Sequence, residues 1–436
     1  RGYIFEMTKK VYIHTFGCQM NVHDTEKMYG VLLQSGYQRT ESPHAADLII
    51  LNTCSIRQKA EQKFYSELGR LKSYKKIRSD IKIAIAGCIA QQEGNNLFKK
   101  APYVDYVFGP QNIQVLRSIA GKRPPYSALE ENPDIELHDL PAERDDGIKA
   151  WISIMYGCNN FCSYCVVPYT RGRERSRPSE NIYAEVSQLA EKGYKEITLL
   201  GQNVNSYASD VDFAGLLKKL NGIDGIERIR FVTSHPKDLS LGLIHAIADL
   251  PKVCENIHLP LQSGSNAVLM RMNRGYTYEG YVNKIGALKN VIPGISITSD
   301  IIAGFPGESD DDHVQTIKAL KGICFDGIFA FMFSSRPHTR AAVYENQIPE
   351  DIRLQRLSEI LKLQDEITLR KNKAIEGSVQ QILIEGTSET DKQRIMGKTR
   401  TNKVVTILKT NIPKGSLIDV EIVKARKHSL EGIPLS

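Results

Sequence analysis

Apolar and polar positions fall into three regimes along this chain. In the first, Val11-Tyr12-Ile13-His14-Thr15-Phe16, Asp47 to Thr53 and Ile81 to Ala86 are short β-branched runs that predict strands, and helical patterns from Asp24 to Ser35 and Arg57 to Lys72 fall between them. Strands alternating with helices predict right-handed crossovers and a parallel sheet. Near-continuous apolar runs suit strands covered on both faces. The stretch from Gly121 to Gly147, with four prolines and many charges, predicts a linker.

The second regime repeats the alternation more regularly. Ala150 to Met155, Glu196 to Leu200, Arg228 to Val232, Asn256 to Leu259, Ile295 to Ile301 and Gly327 to Phe333 predict six strands, most of them followed by a helical pattern. Six such units predict an incomplete α/β barrel. Pro349 to Ile375 reads as one long helix with a stripe of Leu354, Leu357, Ile360, Leu361, Leu363 and Ile367. In the third regime β-branched runs at Val379 to Ile384, Val404 to Leu408 and Leu417 to Val423 are separated by glycine and polar turns, which predicts a small antiparallel β-barrel. The expected fold is therefore α/β with three domains, over 7–145, 147–375 and 376–436.

Composition narrows the class. A chain of 436 residues is long enough for two or three domains. With 57 Lys and Arg against 50 Asp and Glu, the net charge of +7 is compatible with a nucleic-acid partner without arguing for one. From Gly377 onward ten basic residues stand against six acidic ones, so the small domain holds more than its share of positive charge. No apolar run has the length of a membrane span, and the first ten residues lack the apolar stretch of a signal peptide. A cytoplasmic protein with no membrane partner is expected, with Arg1 to Glu6 read as a leftover ahead of a start at Met7. In a reducing compartment the eight cysteines are not a disulfide framework.

Their placement carries chemistry. Cys158-Asn159-Asn160-Phe161-Cys162-Ser163-Tyr164-Cys165 puts three thiols within eight residues directly after a predicted strand, enough for three corners of a cubane cluster whose fourth iron stays open. A structural zinc site would want a fourth ligand at finger-like spacing, and none is supplied nearby. The bland alternative is three packed cysteines in a loop. Cys18, Cys54 and Cys88 each follow one of the three N-terminal strands, and the carboxyl ends of parallel strands share one edge, where ligands bind. One cysteine so placed is usually a small buried hydrophobe; three in the same structural position point to a joint role. Cys254 and Cys324 show no such pattern and read as core.

The Cys-x-x-x-Cys-x-x-Cys loop with an aromatic before its last cysteine resembles the cluster loop of radical S-adenosylmethionine enzymes. The resemblance implies that Cys158, Cys162 and Cys165 hold a 4Fe-4S cluster whose open iron binds S-adenosylmethionine, with Tyr164 near the adenosyl moiety. Together with Cys18-Gln19-Met20-Asn21, Asn52-Thr53-Cys54-Ser55-Ile56-Arg57 and Gly157 to Gly172, the motifs resemble the radical methylthiotransferase family over nearly the whole chain. That implies a methylthiotransferase domain with an auxiliary 4Fe-4S cluster on Cys18, Cys54 and Cys88, a radical domain and a C-terminal TRAM domain. The strings are most similar to members that convert N6-isopentenyladenosine at tRNA position 37 to its 2-methylthio derivative. The implied route is methylation of an auxiliary-cluster sulfur, then removal of the C2 hydrogen by a 5′-deoxyadenosyl radical. An isopentenylated anticodon stem–loop, an electron donor such as flavodoxin or ferredoxin, and a monomeric state go with it. Arg336-Pro337-His338-Thr339 departs from the family, which more often carries glycine at His338; the departure touches a turn near the barrel mouth.

By position and resemblance, Gly201, Gln202, Asn203, Gln262, Ser263, Asp300 and Gly304 are assigned to cofactor binding at the barrel mouth. A glycine after a strand is otherwise only a turn. Arg171, Arg173, Arg175 and Arg177 form a basic run beside the cluster loop with Glu174 as its only acid, and with Lys398, Arg400 and Lys403 they are assigned to nucleic-acid contact. The usual alternative is pairing on a solvated surface. His235 and His258 read as hydrogen-bonded structural residues. The competing activities are methylthiolation of threonylcarbamoyl adenosine or of a ribosomal-protein aspartate, and from another class a non-catalytic iron–sulfur protein that binds RNA and senses redox state.

Overall fold

The computed structural model describes residues 9–55, 58–131 and 140–435. Met7, Ile56, Arg57 and part of the expected linker lie outside the described residues. The chain divides into two units: one runs to Asp145 and takes in Met155–Asn159 and Cys165–Arg177, and the other takes in Asp146–Ile154, Asn160–Tyr164 and everything from Pro178.

The first unit is built on a parallel sheet of β1 (Lys10–Thr15), β2 (Gln38–Arg39), β3 (Leu48–Thr53), β4 (Lys82–Gly87), β5 (Tyr106–Phe108) and β6 (Tyr126–Ala128), in the order β2-β1-β3-β4-β5-β6. Side chains alternate across a strand, and the core follows suit. Leu48 and Ile50 pack with Met28 and Leu32 of α1 (Gln19–Gln34), whereas Ile49 and Leu51 pack with Phe64, Leu68 and Leu71 of α2 (Gln58–Ile77). The two helices thus cover opposite faces, which is why β3 is buried at every position. Tyr126–Ala128 corrects the linker expectation, because it pairs with Tyr106–Phe108 as the outermost strand. Pro124 and Pro125 just ahead of it are no obstacle, since a residue without an N–H is tolerated at the start of an edge strand.

The chain then enters the second unit with β7 (Lys149–Ser153), returns to the first for β8 (Met155–Tyr156) and β9 (Arg175–Ser176), and stays in the second from Pro178. There β10 (Glu196–Leu200), β11 (Arg228–Phe231), β12 (Asn256–His258), β13 (Ser296–Ala303) and β14 (Gly327–Met332) join β7 as two parallel three-stranded sheets, β7-β10-β11 and β12-β13-β14, with an isolated parallel bridge from Ile229 of β11 to Val253 ahead of β12. Among the described residues no pairing joins β7 to β14, so the barrel stays open.

The long helix spans Glu350–Lys373, but only part of its apolar stripe is buried. Leu354 is 56% and Leu361 41% exposed, while Arg356, Gln364 and Asn372 are buried beside Ile360 and Ile367. Hydrogen bonding decides this: Arg356 reaches Glu308 and Asp310, Gln364 donates to the Phe325 carbonyl, and Asn372 donates to the Arg426 carbonyl.

The last strands, β15 (Val379–Thr387), β16 (Arg394–Thr399), β17 (Val404–Leu408), β18 (Leu417–Ala425) and β19 (Leu430–Pro434), close a barrel in the order β15-β16-β17-β19-β18. It is antiparallel except where β17 runs parallel to β19. Two of its strands were hidden in the sequence. In β16 Gly397 occupies an inward position, where a Cβ would stand 2.4 Å from the Leu383 carbonyl oxygen, and β19 is interrupted by Gly432 and ends on Pro434. The small barrel is tied to β11: Arg228 donates to the Lys398 and Gln381 carbonyls, and Arg230 to those of Arg400 and Thr399.

Candidate functional site

In the first unit, β1, β3 and β4 are sheet neighbours with Thr15 opposite Asn52 and Thr53 opposite Gly87. Cys18, Cys54 and Cys88, a few residues past these pairs, therefore emerge at one edge. Glycines set the spacing: a Cβ on Gly17 would stand 2.2 Å from the Cys54 Cβ, and one on Gly87, whose φ is +89°, 2.4 Å from the Thr53 carbonyl oxygen. Asn21 braces the edge by donating to the carbonyls of Phe16 (2.9 Å) and Thr53 (2.7 Å).

The electrostatics favour thiolate at Cys18. Cys18 is held down to about 6, first by its hydrogen bond with Cys54 and then, against the opposing effect of burial, by the nearby Arg171 charge and a bond from Asn21. Arg171 lies in the same unit and donates to Asp24 at 2.8 Å, while its carbonyl accepts from Gln111 at 2.9 Å. Burial opposes the Arg171 charge, and Asp24, Cys88 and Cys18 more than offset it, so the guanidinium stays protonated. Three convergent thiols with no harder donor among them, beside a buried cation, suit a thiolate-ligated iron–sulfur cluster. Among the described residues no group of three His, Cys, Asp or Glu side chains is arranged for a single metal ion.

The 158–165 loop leaves β8 through Gly157. The φ of +73° there, and a Cβ that would fall 2.0 Å from the Arg173 carbonyl oxygen, explain the glycine. Within the first unit the Cys158 N–H donates to the Gly172 carbonyl at 3.2 Å. Within the second, the Ser163 N–H donates to the Met272 carbonyl (3.0 Å), and Asn273 holds the Asn160 and Phe161 carbonyls. Cys158 and Cys162 are buried and Cys165 is half-buried. As a donor set the loop supplies thiols alone, which suits an iron–sulfur group.

At the carboxyl ends of the barrel strands stands a row of buried polar atoms with no hydrogen-bond partner: both side-chain atoms of the Gln202 amide, Asn203 Oδ1, Ser234 Oγ, His235 Nε2 and Gln262 Oε1. Buried polar groups are normally satisfied, so a row of orphans after three consecutive strands marks a place for a polar ligand. Gln202, Asn203 and Gln262 were expected there; Ser234 and His235 were not. The His235 Nδ1 accepts from the Lys237 N–H, which fixes the proton on Nε2. Burial, helped by Arg274, Lys237 and Lys284, depresses its pKa to about 2, so the ring is a neutral donor. The signal for it was its position just after β11.

The remaining expected residues divide. Tyr164 accepts from Arg274 at 3.3 Å and meets Phe305 edge-on. Gly201 is buried at the end of β10. Ser263 is fully buried against Thr316, and Gly304, at φ +70°, donates to Glu308. Asp300 lies 3.4 Å from His258 Nε2, and the other His258 nitrogen meets Thr298, so His258 is the bonded residue expected. Of the basic run, Arg173 is exposed, Arg175 half-buried, and Arg171 and Arg177 buried. Arg400 is committed to Glu255, Lys403 to Asp326 and Asn372, and Lys398 lends its carbonyl to Arg228. Lys392, Lys409, Lys414 and Lys424 are exposed lysines of the small barrel, of which Lys414 donates to the Asp146 carbonyl.

Comparison with known proteins agrees with this architecture. Residues 152–320 match the radical SAM superfamily, 10–109 the uncharacterized protein family UPF0004 and 373–435 the TRAM domain. The fold and site thus define a three-part radical S-adenosylmethionine protein. A tRNA-2-methylthio-N(6)-dimethylallyladenosine synthase of Thermodesulfovibrio yellowstonii is 54% identical over 97% of this chain and 98% of its own length. One of Carboxydothermus hydrogenoformans is 43% identical over 98% and 99%. The chain belongs to the family of tRNA-2-methylthio-N(6)-dimethylallyladenosine synthases. The fold is shared with the radical S-adenosylmethionine methyltransferase TsrM from Kitasatospora setae, at a TM-score of 0.59 and 14% identity over 77% of this chain and 75% of that one.

Proposed function

We propose that this chain is a transferase that places a methylthio group on C2 of an N6-dimethylallylated (isopentenylated) adenosine at position 37 of tRNA. The observation that carries the reading is the presence of two separate thiol triads on a chain 54% identical over 97% of its length to a synthase of that name. When bound, two 4Fe-4S clusters and S-adenosylmethionine supply the electron, the 5′-deoxyadenosyl radical and the sulfur and methyl carbon that this chemistry needs.

The chain's residues hold, orient and exclude water. Cys158, Cys162 and Cys165 would hold one cluster, while Cys18, Cys54 and Cys88 would hold the other with Arg171 as a nearby counter-charge. Gln202, Asn203, His235 and Gln262 offer the donors and acceptors that fix the cofactor's polar groups, and Tyr164 packs beside it. The C2–H bond is not acidic enough for a general base, so positioning and dryness are the protein's contribution. Basic residues of the TRAM domain and the exposed Arg173 meet tRNA phosphates. A small redox protein such as flavodoxin or ferredoxin supplies the electron, and the chain acts as a cytoplasmic monomer.

The test is an anaerobic reaction of the reconstituted chain with S-adenosylmethionine, dithionite and three candidate substrates: isopentenylated stem–loop RNA, threonylcarbamoylated stem–loop RNA and a ribosomal-protein peptide. A methylthio mass gain on the first alone is expected. Gain on another substrate refutes the substrate, and absence of 5′-deoxyadenosine with all three supports an RNA-binding redox sensor instead. No helix among the described residues is long and apolar enough to cross a membrane.

A further inference from the structure

Arg274 is a buried cation with an unusual set of partners. Its Nη1 stands 3.2 Å from the Cys162 Sγ and 3.3 Å from the Tyr164 hydroxyl; Nε donates to the Tyr276 hydroxyl at 3.0 Å, and Nη2 to the Pro260 carbonyl at 3.1 Å. All of these residues belong to the second unit. Arg171, Arg230 and Arg356, comparably buried, each have a carboxylate, respectively Asp24, Glu196 and Glu308. Arg228 has none but directs its donors to the Lys398 and Gln381 carbonyls. Among the described residues no carboxylate pairs with Arg274, and one of its donors points at sulfur. A guanidinium removed from water needs a negative partner, and the sulfur of Cys162, read as a cluster ligand, is the group in reach that would carry that charge. Tyr276 makes the aim rigid, because its hydroxyl is itself held by the Pro260 and Leu261 carbonyls.

We propose that Arg274 is a positioning residue that donates a charge-assisted hydrogen bond to the Cys162 sulfur and thereby raises the reduction potential of the cluster ligated there. The proposal rests on the reading of Cys158, Cys162 and Cys165 as ligands of a 4Fe-4S cluster. Three thiolates on a core of charge 2+ leave a net charge of −1, and one electron takes the core to 1+ and the whole to −2. A fixed cation against one sulfur stabilises the second state more than the first. Hydrogen bonds to sulfur and local charge are the levers by which proteins set such potentials.

The test uses the full chain with Cys18, Cys54 and Cys88 replaced by Ala, so that one cluster reports, in a dye-mediated titration with dithionite followed by electron paramagnetic resonance. With Arg274→Met the ratio of reduced to oxidised cluster at a fixed potential is expected to fall about tenfold, a shift of about 59 mV for one electron. Arg274→Lys, which keeps the charge but not the fork, recovers part of the shift. A normal iron content with an unchanged midpoint overturns the role of Arg274. Iron short of one cluster with Arg274 intact overturns the ligand reading beneath it. Should the Met variant not fold, guanidino-15N-labelled arginine in the same background decides: a nitrogen coupling on the reduced cluster is expected, and its absence overturns the proposal.

Discussion

His338 takes a φ of +66°, the left-handed region in which a side chain is strained, and closes a turn in which the Thr339 hydroxyl donates to the Arg336 carbonyl at 2.7 Å. A side chain there costs strain in an exposed turn, where the resemblance leads one to expect glycine, and leaves the fold intact. His338→Gly is expected to stabilise the chain by up to about 1 kcal/mol, the relief of strain exceeding glycine's greater entropy loss, and chemical denaturation would show no gain if that is wrong. Cys18 gives a second expectation. Its folded value of about 6 lies below the ordinary thiol value of 9.0, so the stabilisation from the thiolate is fully present above the ordinary value and lost as pH falls through about 6. In metal-free chain the stability advantage of wild type over Cys18→Ser should therefore grow from pH 6 to pH 9; a difference independent of pH contradicts the assignment. The six thiol positions were legible because clustering and repetition at strand ends are visible in one dimension. His235 and Arg274 were not, because a missing partner exists only once the chain is folded.

Among the elements, β10 runs Glu196–Leu200 as expected and the long helix covers Glu350–Lys373, whereas α1 starts at Gln19, five residues before the expected Asp24, and α2 runs to Ile77, five beyond the expected Lys72. What escaped was decided by contacts between elements. β6 was masked by prolines and charge, β16 by a glycine on its inner side, and the buried face of the long helix by polar residues bonding to loop carbonyls. The helix Asp310–Ile323 shows a local rule obeyed in full, with the Ser309 hydroxyl accepting from the Asp312 N–H at 3.2 Å and the Asp312 carboxylate accepting from the Ser309 N–H at 2.9 Å. Ser309→Ala should cost about 1 kcal/mol. Since Arg356 also grips Asp310 in that first turn, an unchanged melting midpoint would mean that this contact, and not the cap, holds the helix end.

Within the second unit the small barrel is docked by buried or half-buried charge: Arg228 and Arg230 bond to its carbonyls, Arg400 reaches back to Glu255, and Lys149 pairs with Glu385 at 2.7 Å. Deleting it would break these contacts along with any RNA contact, so single charges make the cleaner test. Replacing Lys392, Lys409 and Lys424 together by Ala should weaken tRNA binding several-fold at low salt and flatten its salt dependence by up to about three units of slope. An unchanged slope would place the phosphate contacts elsewhere. The central claim, that the two thiol triads do different work, is met most directly by one anaerobic experiment on isopentenylated stem–loop RNA, reading 5′-deoxyadenosine and methylthiolated nucleoside by mass spectrometry. With Cys18, Cys54 and Cys88 changed to Ala and circular dichroism showing a folded chain, deoxyadenosine should form and methylthio product should not. Product from that variant would contradict the account, since the sulfur would then come from somewhere other than the edge those three residues share.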